Sequence, residues 1–150
     1  ALPGASNRGA LRVRYLPALT QPDFDHLLWS CDLNLVRGED SFVRAQWAGK
    51  PFLWQIYPQD DGAHAAKLAA FQQLFLAGAT VEVRAAVGRA ALDWNGIAAS
   101  AAKPDHAAGF TLPPPGLREP WLAHCQAWRA HLAELPDLAS SLRAFVRKHR

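Results

Sequence analysis

Between Leu11 and Tyr15 apolar residues alternate with arginine, Leu11, Val13 and Tyr15 against Arg12 and Arg14. A period of two predicts a strand, which Pro17 closes. The opening stretch ALPGASNRGA is small and polar and reads as a loose lead-in. Thr20 precedes Pro22, Asp23 and Asp25. A capping hydroxyl, a first-turn proline and early acids are what a helix start favours, so 22–30 is predicted helical. A second strand is expected from about Asp32 to Val36, stopped by Gly38. In EDSFVRAQWAG the acids and Ser41 stand at the start and Gly49 at the end of a predicted helix. It begins near Asp40 or Ser41, and Phe42, Ala45 and either Trp47 or Ala48 face inward. KPFLWQIY reads as a third strand and PQDDG as a turn. The order β-α-β-α-β over 1–60 argues for a parallel sheet of about three strands with covering helices.

From residue 63 onward the period changes to that of helices. Leu68, Phe71 and Phe75 make one stripe, and Val83, Val87, Ala90, Trp94 and Ile97 make a second. SAAKPDHAAGFTLPPPG reads as loop. Trp121, Cys125, Trp128, Leu132 and Leu135 recur at spacings of four and three, a third amphipathic helix. Pro136 and Asp137 open a fourth, with Leu138, Leu142 and Phe145 inward. The sheet is small beside the usual five or six strands, roughly, of a doubly wound domain. That shortfall, with a chain not beginning at Met, reads as a partial domain.

Composition narrows the function classes. Half of the 150 residues are apolar, which suits one globular domain with a real core. The net charge of +3 is scattered apart from the tail RAFVRKHR, so no nucleic-acid partner is indicated. No apolar run approaches the roughly 20 residues of a membrane span, and no signal peptide is visible. Cys31 and Cys125 stand alone in apolar segments and read as reduced thiols of a cytoplasmic protein. The histidines show no metal-binding spacing, so neither a metal nor a cofactor is expected.

The densest chemistry lies in VRGEDSFVRAQWAGKPF, 36–52. Ligands of open α/β sheets sit at the carboxyl ends of strands, against helix N-termini whose free N–H groups favour anions. Arg37 offers a planar fork for phosphate, Gly38 a close backbone approach, and Ser41 a hydroxyl. Glu39 or Asp40 suits a sugar hydroxyl or an arginine partner. The plainer reading is that Asp40 and Ser41 cap the helix while Arg44 pairs with Asp40. Gln21 and Phe24 would follow the first strand, and Tyr57 follows the third. Phe24 and Tyr57 offer faces for a base and Gln21 an edge reader. Phe24 equally suits the first inward position of its helix, and the polar residues around Tyr57 suit a capped turn. No glycine-rich dinucleotide or Walker fingerprint is present.

The string LPALTQPDFDHLLWSCDLNLVRGEDSFVRAQWAGKPFLWQIYPQDDGAHAAKLAAF closely resembles the carboxy-terminal half of bacterial elongation factor P arginine rhamnosyltransferases. The resemblance implies a GT-B glycosyltransferase of two Rossmann-like domains, of which this chain is a carboxy-terminal donor-binding portion. It implies dTDP-β-L-rhamnose as the donor nucleotide sugar and an arginine of elongation factor P as acceptor, with inverting transfer. It carries an essential glutamate onto Glu39 and donor contacts onto Arg37, Gly38, Asp40 and Ser41. Base and ribose contacts map to Gln21 and Phe24, and an aromatic contact to Tyr57. The family's catalytic aspartate matches nothing here, so the 150 residues alone are expected to be inactive. Two other readings stay open, a different nucleotide-sugar module and a non-catalytic interaction domain.

Overall fold

The computed structural model describes residues 5–60, 62–97 and 110–149. The elements in chain order are β1 (Ala5–Arg8), β2 (Leu11–Arg14), α1 (Gln21–Ser30), β3 (Asn34–Arg37), α2 (Glu39–Ala48), β4 (Phe52–Gln55), α3 (Ala63–Phe75) and α4 (Val81–Trp94). A 3-10 turn at Pro115–Leu117 leads into α5 (Arg118–Glu134), and α6 (Leu138–Lys148) follows. The expected loop over 100–116 falls mostly outside the described residues.

Among the described residues the parallel sheet has two strands, not three. β3 and β4 pair in parallel, with Asn34 opposite Phe52 and Arg37 opposite Gln55. The alternating segment at Leu11 is a strand, but its partner is β1, in an antiparallel hairpin separate from that sheet. The loose lead-in is therefore strand from Ala5 onward. The alternation was real evidence for extended backbone; it held no information about which edge the strand would join.

The helix starts follow their caps. Thr20 accepts from the Asp23 N–H and Thr80 from the Val83 N–H. Asp137 accepts from the Ser140 N–H, and hydrogen bonding from the Ser140 side chain first and its N–H second lowers the Asp137 pKa. The core is built where α3, α4 and α5 cover β4. Phe52, Leu53, Trp54, Leu68, Val83 and Cys125 are all buried in it. Trp54 stacks on Phe42 with ring centroids 3.8 Å apart, and Phe71 meets both rings edge-on. On α2 it is Ala48 that faces in, while Trp47 faces out.

The last helix departs from expectation. Leu138, Leu142 and Phe145 make the predicted stripe, yet all three are exposed, Leu138 by 84%. Periodicity marks an apolar face without naming what covers it, and nothing among the described residues covers this one. Leu135, also expected inward, caps the end of α5 and is exposed. No described helix is long and apolar enough to cross a membrane.

Candidate functional site

The carboxyl end of the two-stranded sheet gathers most of the residues singled out above. β3 ends at Arg37, the chain turns at Gly38, and α2 begins at Glu39. Gly38 has φ 79° and ψ 178°, a region essentially closed to side-chain-bearing residues. Its conformation is held from below, where the buried Trp54 donates its indole N–H to the Gly38 carbonyl at 3.0 Å. It is bounded from above by Tyr57. A Cβ on Gly38 would lie 3.0 Å from Tyr57 Cε2 and 3.3 Å from its hydroxyl oxygen. The Arg37 guanidinium carbon sits 4.9 Å from the centre of the Tyr57 ring, a cation-π contact. Arg37, Gly38 and Tyr57 thus form one surface, and Tyr57 remains 52% exposed.

The first turn of α2 stands open beside this surface. Neither Asp40 nor Ser41 caps it, and Gly38, the N-cap, supplies no side-chain bond. That corrects the capping reading of these two residues. The early N–H groups of a ten-residue helix are left with no side-chain cap at a place the helix dipole makes favourable to anions. Glu39 and Asp40 are exposed and Ser41 is partly buried.

The pairing of Arg44 was half foreseen. It bonds Asp40 at 3.3 Å, four residues back, and also holds both oxygens of Asp25 at 2.9 Å. The Asp25 carboxylate, first among its partners, raises the Arg44 pKa further. This fork ties α1 to α2. Gln21 and Phe24 ride on α1, so they are not at the end of a strand of the same sheet. Gln21 is exposed at the first position of α1, and Phe24 packs against the core as an inward helix residue. No described contact joins either residue to Arg37, Gly38 or Tyr57.

Other supports of the site are invisible to motif reading. The loop after β4 is tied by the Gln59 N–H to His64 Nδ1 at 3.2 Å and by Lys67 to Gln59 Oε1 at 3.3 Å. Asn95, past the end of α4, bonds backbone groups of Trp54 and Ile56. A proximity signal for Asn95 exists only as the tripeptide Trp94-Asn95-Gly96, whose role depends on where α4 lies. Among the described residues no group of three or more metal-ligating side chains is found.

The family model described as elongation factor P (EF-P) rhamnosyltransferase EarP matches residues 2–147. A protein-arginine rhamnosyltransferase of Pseudomonas putida is 46% identical over 145 residues, covering 93% of this chain and 35% of the relative. One from Pseudomonas aeruginosa is 44% identical over 141 residues, with 92% and 35% covered. One from Neisseria meningitidis is 40% identical over 141 residues, with 94% and 36% covered. The chain therefore spans about a third of the length of these relatives. A solved structure from work on the structural basis for EarP-mediated arginine glycosylation of translation elongation factor EF-P superposes with a TM-score of 0.70. The two are 41% identical, and the match covers 96% of this chain and 43% of that one.

Proposed function

The chain belongs to the EF-P rhamnosyltransferase family, and we propose that it forms the donor-binding part of a cytoplasmic protein-arginine rhamnosyltransferase of GT-B architecture. In this reading the donor is dTDP-β-L-rhamnose and the acceptor an arginine of elongation factor P. The observation that carries it is the Arg37–Gly38 turn at the carboxyl end of β3, with Tyr57 laid on it and the α2 N-terminus open beside it.

The chemistry follows from that arrangement. As the glycosidic bond breaks, negative charge grows on the departing diphosphate. Arg37 and the first N–H groups of α2 lie where they stabilise that charge, and they need no reorganisation to do so. Tyr57 supplies a half-exposed ring for the nucleotide. Ser41 gives a hydroxyl to the diphosphate. Asp40 is shared with Arg44 and keeps the turn in place. Glu39 has no described partner, so its carboxylate is available to a sugar hydroxyl or to the incoming guanidinium. In this reading the nucleotide extends from the turn toward α1, where Gln21 and Phe24, with no described contact to Arg37, Gly38 or Tyr57, serve its base and ribose. The general base and the acceptor surface come from outside these residues, so the 150 residues bind donor without turning it over.

The test is calorimetry on a chimera in which this chain replaces the matching third of the Pseudomonas putida relative. dTDP and dTDP-rhamnose bind, UDP binds at least about ten-fold more weakly, and Arg37→Ala weakens the first two by a further ten-fold or so. Equal affinity for dTDP and UDP would refute the donor assignment.

A further inference from the structure

Asn95 turns two of its three side-chain amide bonds to the far edge of β4. Its Oδ1 accepts from the Ile56 N–H at 2.9 Å, and its Nδ2 donates to the Trp54 carbonyl and the Ala91 carbonyl, each at 2.8 Å. The other edge of β4 is taken by β3, through Asn34 N–H to Pro51 O and Gly38 N–H to Gln55 O. Backbone groups alternate between the two edges of a strand, so Trp54 O and Ile56 N–H face away from β3. A neighbouring parallel strand would bond that same carbonyl and that same N–H, two residues apart, with the N–H and C=O of one of its residues acting as a unit. The Asn95 amide takes the place of that unit.

The placement is set by how α4 ends. Ile97 N–H bonds Leu92 O at 3.0 Å and Gly96 N–H bonds Asp93 O at 3.1 Å, the paired bonds of a Schellman motif. Gly96, at φ 65°, makes the left-handed turn that lets Asn95 sit at the last position with its side chain across β4. Gln55 Nε2 bonds Trp94 O at 3.3 Å, a second tie between the same two segments. β4 is thereby held at the residues immediately before Tyr57.

Resting on the donor-site reading above, we propose that Asn95 is a positioning residue for the donor pocket, acting through Tyr57. It fixes the backbone at Ile56, and this sets the Tyr57 ring against Gly38 and Arg37. It touches no substrate. Without it the end of β4 has two unpaired backbone groups, the chain after Gln55 is free to shift, and the wall of the pocket loses its register with the Arg37–Gly38 turn.

A double-mutant cycle on the full chain tests this, read by calorimetry with dTDP and by the Gly38 Hα resonances without ligand. Asn95→Asp keeps the acceptor for the Ile56 N–H and loses both donors; Asn95→Ala loses all three bonds and serves as the second variant. Asn95→Asp weakens dTDP binding by about ten-fold, and by less than about two-fold once Tyr57→Ala is present. The Gly38 resonances, shifted by the packed Tyr57 ring, move in Asn95→Asp toward their positions in Tyr57→Ala. Val83→Ala, a cavity in the buried face of α4, lowers stability and leaves both readouts in place. Additive losses in the cycle, or unmoved Gly38 resonances in both Asn95 variants, would overturn the proposal. If the wild-type chain binds no dTDP, the donor reading fails, and the Gly38 resonances still decide whether Asn95 positions Tyr57.

Discussion

Gly38→Ala is the sharpest single perturbation of this site, because it strains the backbone and meets Tyr57 at once. The conformation at φ 79°, ψ 178° costs a non-glycine residue about 1–3 kcal/mol. Losing glycine from the unfolded chain returns roughly 0.4–1 kcal/mol, which leaves a net cost of about 1–2 kcal/mol. For a chain of 150 residues that lowers the melting temperature by about 2–8 °C. The added methyl would sit 3.0 Å from Tyr57 Cε2, tighter than nine in ten such contacts, so the ring must give way by a few tenths of an ångström. Tyr57 is the mobile partner, being half exposed, whereas the Trp54 side is buried. Two controls separate the causes. Gly62→Ala, at φ 72° with nothing within 4 Å of its Cβ, carries backbone strain alone and leaves nucleotide affinity unchanged. Gly38→Ala made in a Tyr57→Ala background costs less stability than in wild type, since only the backbone strain is left. Thermal unfolding and dTDP calorimetry read both effects, with Gly38→Ala weakening binding by about ten-fold or more. A Gly38→Ala protein that melts with wild type, or that binds dTDP as well as wild type does, would refute the assignment of this turn to the donor site.

Other outcomes follow from the same contacts. Trp54→Phe keeps the stacking on Phe42 but removes the donor to the Gly38 carbonyl, and the urea midpoint should fall by the equivalent of about 1–2 kcal/mol. An unchanged midpoint would mean that water replaces the indole without cost. Glu39→Gln leaves the melting temperature in place, because no described partner depends on it, while turnover by the chimera drops about 100-fold. Retained turnover would remove Glu39 from the chemistry. Burial pushes the Cys125 thiol from 9.0 up to about 12. A raised folded pKa means that its contribution is complete below pH 9.0 and fades as pH climbs toward 12, by an amount on the order of 4 kcal/mol. The stability advantage of wild type over Cys125→Ala therefore narrows across that range, as measured by urea unfolding. In the native state at pH 8 a thiol reagent labels Cys31 and spares Cys125, and equal labelling would contradict the burial.

What was legible in the sequence was local. The starts at Thr20 and Asp137 need only one side chain and an N–H three residues on, so composition marks them. The stripes of α3, α4 and α5 were readable for the same reason, each being a property of one segment. Failure came wherever the partner was remote. The Leu11 strand had the right pattern and the wrong neighbour, and placing it in the parallel sheet also misplaced Gln21 and Phe24. The stripe of α6 was drawn correctly and faces solvent. Asn95 carried no signal beyond the tripeptide Trp94-Asn95-Gly96, because an amide that stands in for a strand is recognisable only once the edge it completes is in view.

The same distinction resolves the stretch 36–52, for which charge spacing offered two readings. The pairing part of the plainer reading holds, and the proposed anion site rests on other residues. Arg44 and Asp40 do form the expected pair, and Asp25 from α1 takes the rest of the guanidinium fork. That network lies on the α1 side of α2 and consumes one arginine and two carboxylates. Arg37 and Glu39 are left outside it, Arg37 under the Tyr57 ring and Glu39 at the uncapped helix start. Had Asp40 or Ser41 capped α2, its first N–H groups would be occupied and the anion reading would lose its main support. Instead the turn is held by contacts from other segments: the Trp54 indole below, the Tyr57 ring above, and Asn95 behind the strand that carries both. The helix start needs no cap of its own to keep its shape, and its N–H groups stay open. A rigid turn with free donors and a spare arginine is what binding a diphosphate requires, and here the rigidity comes from residues that never approach the ligand.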